Sequence, residues 1–236
     1  MTRAPPAAVR AGRDHGAIPR RRSARLRVGA DVLDADVAPP TFGRGTVIFA
    51  DGTGSSRSSA RHQYLADVLE GAGLGTVLLD LWTEAEEETD LATTEYRFNL
   101  PLLTTRLEGA TDWVRAQPSG RSARLGYFGT GTGGAAAMIA ASRRAPHIAA
   151  MVLRGARTDL AASVAPHLTV PTLLLVGGLD PATREANEGT LRLLPGPHRL
   201  DVIPAATHLF AESGALEAVA AAAVRWFVQY LGPTPP

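Results

Sequence analysis

The chain has 236 residues, enough for one α/β domain with a substantial core and short for two. A formal net charge of +1 excludes the broad charged surface of a nucleic-acid or membrane binder, and the absence of cysteine excludes disulfides, thiolate nucleophiles and thiolate metal sites. The charge is uneven, however: all 24 basic residues are arginine, and eight of them precede residue 28.

Residues 1–24 are rich in Arg, Pro and Ala without hydrophobic period, which predicts a disordered tail. Arg20-Arg21-Arg22 is not followed by the apolar core of an export signal, and no apolar run has the length of a membrane span, so the cytoplasm is the expected location. Alternation across Leu26–Val28 and Asp31–Val37, broken at Gly29-Ala30, predicts an antiparallel edge hairpin that ends at Pro39-Pro40. Thr46–Ala50 is a buried strand, followed by the polar loop Asp51–Ser56 and a helix over Ala60–Glu70. After a further strand at Thr76–Leu81, the acidic segment Trp82–Thr94 has no ligand spacing and reads as a solvated loop or a lid.

A helix over Asn99–Ala116 then leads to a strand at Arg124–Phe128 and a helix over Gly134–Arg144. Strands follow at Ala149–Leu153, Thr172–Val176 and Arg199–Ile203, with helices over Thr183–Leu194 and Ala215–Leu231. Buried strands alternating with amphipathic helices predict one α/β domain over residues 25–232, a mostly parallel sheet covered on both faces, with a short Pro-rich end at 233–236. In such a sheet the ligand sits at the C-terminal strand ends.

The most informative stretch is Leu125 to Gly134, a strand, a glycine-rich turn and an immediate helix. This is the form of a nucleophile elbow, where residues two either side of the nucleophile must be small because neighbouring backbone crowds them. Gly129 and Gly133 are those small residues, and Gly131 stands between them in the place of Ser, Cys or Asp. Sliding the elbow by one residue would make Thr132 or Thr130 the nucleophile, against a β-branched residue at a strained turn or a bulky Phe128 at a crowded one. Gly129–Gly134 also matches the dinucleotide fingerprint G-x-G-x-x-G, although four strands precede it and a dinucleotide unit normally opens its domain. The other polar residues expected at the strand ends are Asp51, Thr53, Trp82, Arg154, Arg157, Asp180 and His208. Acid and histidine follow the elbow in the order of a hydrolase triad. The six histidines are scattered without ligand spacing, which gives no metal site.

With its Phe49–Ser56 and Val77–Leu81 segments, the chain resembles the dienelactone-hydrolase-like branch of the α/β-hydrolases. The resemblance is strongest to small bacterial members sometimes fused to phosphoribosyltransferase domains. It is carried further by Arg97-Phe98-Asn99, Ala110–Trp113, Gly126–Gly129, Val176–Asp180 and Ala206–Phe210, and covers about Leu26 to Leu231. It implies the α/β-hydrolase fold, with Asp180 orienting His208 as base. Family members usually carry His at the position of Asp51, Ser at Thr53, Asp at Asn99 and the nucleophilic Ser at Gly131. The resemblance therefore does not carry serine hydrolysis over to this chain.

A His–Asp pair can still move a proton. The backbone N–H of Thr132 and one near Thr53 are the expected oxyanion donors. The expectation is a cofactor-independent acid–base enzyme (elimination, isomerisation or cyclisation) on a carbonyl-bearing small molecule, with Asp51 as a second carboxylate. Hydrolysis by threonine or water, a non-catalytic binding protein and dinucleotide binding are the alternatives. No nucleic-acid or membrane partner is expected, and the oligomeric state is not legible.

Overall fold

A computed structural model describes residues 21–41, 43–52, 56–118 and 123–232. The expected short end at 233–236 and most of the expected tail lie outside the described residues. Part of that tail is ordered: β1 (Arg22–Val28) begins three residues inside it and pairs antiparallel with β2 (Asp31–Ala38) across a turn at Gly29. Arg21 is held at this edge by ion pairs to Asp67 and Glu70.

The remaining strands are β3 (Thr46–Asp51), β4 (Gly75–Leu79), β5 (Leu125–Thr130), β6 (Ile148–Arg154), β7 (Thr172–Gly177) and β8 (His198–Ile203). They form one eight-stranded sheet in the order β1-β2-β4-β3-β5-β6-β7-β8. From β4 to β8 every pairing is parallel, and β2 joins β4 antiparallel. Helices α1 (Ala60–Gly71) and α6 (Ala215–Leu231) cover one face; α3 (Leu100–Ala116) and α4 (Gly131–Arg143) cover the other.

Two cores follow from strand alternation. Val47, Phe49, Phe128 and Val152 pack on the α1/α6 face, whereas Ile48, Ala50, Tyr127 and Met151 pack on the α3/α4 face. Burial on both sides explains why the central strands read as unbroken apolar runs. The same alternation sends Asp51, Thr130 and Arg154, each two residues beyond a member of the first set, to the α1/α6 face.

The acidic segment is a helix rather than a loop. α2 (Glu84–Thr93) starts with a capping box in which Thr83 and Glu86 satisfy each other's backbone N–H groups. Two of its acids are struts. Glu86 receives both terminal nitrogens of the buried Arg106, at 2.6 and 2.8 Å, and Arg106 also donates to Asp31 and to the Leu81 carbonyl. Asp90 accepts from Arg97 Nε and from the backbone N–H groups of Tyr96 and Arg97. Among the described residues no helix is long and apolar enough to cross a membrane.

Candidate active site

The chain leaves β5 through a turn that has no room for side chains at its flanks. A Cβ on Gly133 would lie 2.4 Å from the Ala50 carbonyl oxygen, and one on Gly129 would lie 2.7 Å from Gly134 Cα. A Cβ on Gly134 would lie 2.4 Å from that of Ala156. Between them Gly131 takes a left-handed backbone, φ +51°, and a Cβ there would meet nothing within 4 Å. Thr130 is extended (φ −129°), and Thr132 is not among the left-handed residues. The elbow is therefore registered on Gly131, and neither threonine occupies its strained position. Packing against β3 and against Ala156 also accounts for the glycines without a dinucleotide: the backbone they approach is the protein's own.

The elbow is held from the next strand, where Arg157 N–H donates to the Gly131 carbonyl at 2.9 Å. The Arg157 side chain turns away to pair with Asp159, so the residue supports the site through its backbone and is not in the cavity. Thr132 is the second residue of α4, and helix geometry leaves its N–H without an intrahelical acceptor. Its side chain is buried against Gly52. The second expected oxyanion donor, near Thr53, lies outside the described residues.

Beyond the ends of β7 and β8 stand Asp180 and His208, the expected acid and base. Asp180 caps α5 (Pro181–Leu191), accepting from Thr183 N–H at 3.2 Å, and its other oxygen lies 2.7 Å from His208 Nδ1. Burial alone would raise the Asp180 pKa, but the bonds from Thr183 and His208 outweigh it and hold the carboxyl below its ordinary range. His208 is half exposed, lies over Gly155 and lines the same cavity as Gly131. An anionic partner on Nδ1 fixes the imidazole so that Nε2 is left for a substrate.

The cavity, of about 310 Å³, is floored by strand ends and walled by α1. Asp51, Thr130 and Arg154 are register partners on β3, β5 and β6. His62, which sequence reasoning missed, comes from the buried face of α1: its Nε2 lies 3.5 Å from Asp51, and its Nδ1 lies 3.3 Å from Ser56 Oγ and 3.2 Å from the Ser56 carbonyl. Burial, aided by the charges of Arg154 and Arg61 and opposed by Asp51, pushes its pKa down and favours the neutral ring. A proton on Nε2 gives the Asp51 contact a donor and lets the Ser56 hydroxyl donate to Nδ1, whereas a proton on Nδ1 donates to the Ser56 carbonyl.

Trp82 does not belong to this cavity. It is buried in the α3/α4-face core with its ring centroid 6.5 Å from that of Tyr96. No residue of α2 lines the cavity, so α2 is not its lid. Among the described residues no group of three or more His, Asp or Glu side chains could hold a metal.

A model of the dienelactone hydrolase family matches residues 38–231. A dienelactone hydrolase structure from Anabaena variabilis is 47% identical, covers 91% of this chain and 99% of its own, and superposes with a TM-score of 0.88. Est1E of Butyrivibrio proteoclasticus, at 14% identity over 89% of this chain and 99% of its own, shares the fold with a TM-score of 0.75. Proteins from two Mycobacterium tuberculosis strains, provisionally named phosphoribosyl transferases, are 46% identical over 197 residues. The match takes in 83% of this chain and 44% of theirs, so the chain spans less than half the length of those relatives.

Proposed function

This chain belongs to the dienelactone hydrolase family, and we propose that it is a cofactor-independent acid–base enzyme acting on a carbonyl-bearing small molecule, with His208 as base and Asp180 orienting it. The observation that carries this reading is the pairing of a formed His208–Asp180 contact, 2.7 Å, with a glycine at the left-handed elbow position of the same cavity. Loss of a serine nucleophile costs on the order of 10⁶ in turnover, which makes an acyl-enzyme route poor here. Proton abstraction needs no nucleophile. It needs a base, and donors for the developing oxyanion, for which the free N–H groups at the start of α4 are placed.

A second reading, hydrolysis in which His208 activates water, is favoured by the family and by the open space beside Gly131. The non-catalytic reading keeps the cavity and drops the proton transfer.

The test is a metabolite comparison in a strain lacking the gene, complemented with the native protein or with His208→Ala. The native form is expected to restore the missing product and the variant to leave the precursor accumulated, with both proteins folded. Equal restoration by the two would refute the base and leave a binding role. Once the precursor is known, turnover in D₂O separates the two catalytic readings. Isomerisation leaves carbon-bound deuterium in the product and elimination leaves an unsaturated product with no solvent oxygen, whereas hydrolysis in H₂¹⁸O leaves the heavy oxygen in an acid product.

A further inference from the structure

Two cationic side chains line the cavity without an acceptor. Arg61 on α1 and Arg154 at the end of β6 make no side-chain hydrogen bond or ion pair to any described residue. Arg154 is largely buried, with Cζ 5.5 Å from the centroid of the Phe210 ring beneath it. Burial pushes its pKa down to about 10, opposed by Asp51 and aided by the charge of Arg61. Its Nε and Nη1 are closed off from solvent, whereas Nη2 is not, so the guanidinium meets the cavity through Nη2. Holding two like charges close together with no acceptor is costly, and folded proteins normally meet that cost with an anionic partner.

The start of α1 faces the same space. Ser59, Arg61 and His62, its N-cap and its second and third residues, all line the cavity. Helix geometry leaves the N–H groups of Ala60, Arg61 and His62 without an intrahelical acceptor, and the Ser59 side chain makes no capping bond. Such a helix start carries roughly half a positive charge and is an anion site in its own right. The charges can be compared directly. Arg61 and Arg154 against Asp51 leave one positive charge, with His62 pushed toward its neutral form and His208 neutral as a base must be. Asp51 is already engaged, by His62 among others, and serves here only as an opposing charge. The helix start brings the total to about +1.5, which matches the roughly −1.5 to −2 of a phosphate monoester better than the single charge of a carboxylate. A phosphate also presents three acceptor oxygens in different directions, enough for donors that arrive from two elements.

We propose that this corner, between the start of α1 and the end of β6, holds the phosphate of a small phosphomonoester on the Arg61 guanidinium, Arg154 Nη2 and the first N–H groups of α1. A cavity of about 310 Å³ is at the small end of ligand sites, so the rest of the ester is short. The inference names the substrate class of the proposed proton-transfer site and rests on that reading only for the statement that the bound ester is the substrate.

The test is calorimetric titration of the full chain with glycerol 3-phosphate, inorganic phosphate and butyrate. The native protein is expected to bind both phosphates, and to bind glycerol 3-phosphate at least about tenfold more tightly than butyrate, the scale of one hydrogen bond to a charged group. Arg154→Met and Arg61→Gln should each weaken both phosphates by about tenfold or more. Arg225→Gln, on the exposed side of α6 and outside the cavity, should bind as the native protein does. Arg61 is partly exposed and has no partner to strand, so its variant keeps the test open should Arg154→Met not fold. Butyrate binding as tightly as glycerol 3-phosphate, heat from inorganic phosphate alone, no heat from either phosphate, native affinity in Arg61→Gln, or an equal loss in Arg225→Gln each overturns the proposal. Those failures leave the His208 base standing, because its test reads turnover and not affinity. Native turnover in His208→Ala would in turn leave the phosphate corner standing as a binding site.

Discussion

Restoring a nucleophile by Gly131→Ser tests whether the elbow and the His208–Asp180 pair still form one site. A Cβ at residue 131 meets nothing within 4 Å, so the substitution adds no clash; its cost is the left-handed backbone at φ +51°. For a residue with a Cβ that cost is roughly 1–2 kcal/mol. At about 2–4 °C per kcal/mol for a domain of this size, Tm should fall by roughly 2–8 °C. Removing a triad serine costs on the order of 10⁶ in turnover, which sets the ceiling for the gain, and a rise of about 10²-fold in p-nitrophenyl acetate hydrolysis is the expected minimum. The variant should also be labelled stoichiometrically by a fluorophosphonate that leaves the native protein unlabelled. Gly133→Ala is the control for position, since its Cβ would lie 2.4 Å from Ala50 O and 2.6 Å from Asp51 C, backbone atoms that cannot swing aside. That change should cost more stability than Gly131→Ser despite adding a smaller side chain. A folded Gly131→Ser protein with neither labelling nor added esterase activity would refute the reasoning, because His208 would then not reach the elbow.

Asp180→Asn should lower turnover by about 10²–10⁴-fold at nearly native Tm, since asparagine caps a helix as well as aspartate but offers no charge to His208. The native Asp180 pKa lies below its unfolded value, so its stabilisation is present above about pH 4 and is lost as pH falls through the folded pKa. The acid-side fall of Tm should therefore be shallower in the Asn variant; a large Tm loss at neutral pH would show that the cap fails with Asn. Arg106→Ala removes the partner of Glu86 and of the Leu81 carbonyl at a side chain only 2% exposed. Removing one partner of a buried ion pair costs about 3–5 kcal/mol, an upper figure here because Glu86 keeps its donors from Thr83. The corresponding drop in Tm is roughly 6–20 °C by scanning fluorimetry. A drop below the lower figure would mean that Glu86 finds another donor.

The sheet was legible because strands buried on both faces leave unbroken apolar runs such as Thr46–Ala50 and Thr172–Val176. The proximity of Asp180 and His208 was legible too, since chain order after a strand end assigns both to the same edge. What strand-end reasoning lacks is the face. Asp51, Thr130 and Arg154 end their strands on the α1/α6 side, whereas Trp82 follows β4 into the opposite core. A list of polar residues at strand ends cannot separate the two without counting alternation from a strand residue of known face. His62 left a signal that was not used: with Leu65, Ala66 and Leu69 it occupies the helical spacing of the buried stripe of α1, where an imidazole needs partners. The unpaired state of Arg154 had no local signal, because it depends on Phe210 arriving from beyond β8 to cover the guanidinium. The acidic segment misled through composition: Thr83 and Glu86, three residues apart, are a helix start, and charge count alone hid it.

The backbone of the turn does not depend on a side chain at residue 131. Gly129, Gly133 and Gly134 are required by the approach of β3, α4 and Ala156, and the Arg157 N–H bond to the Gly131 carbonyl holds the turn whatever residue 131 carries. A glycine at such a position avoids the cost of a left-handed side chain. A burial cost falls instead on Arg154, whose Nε and Nη1 have no acceptor among the described residues. Arg154→Met should raise Tm in scanning fluorimetry, because an apolar side chain of similar length suits that burial better than a cation with no acceptor for Nε and Nη1 among the described residues, and a lower Tm would overturn that account.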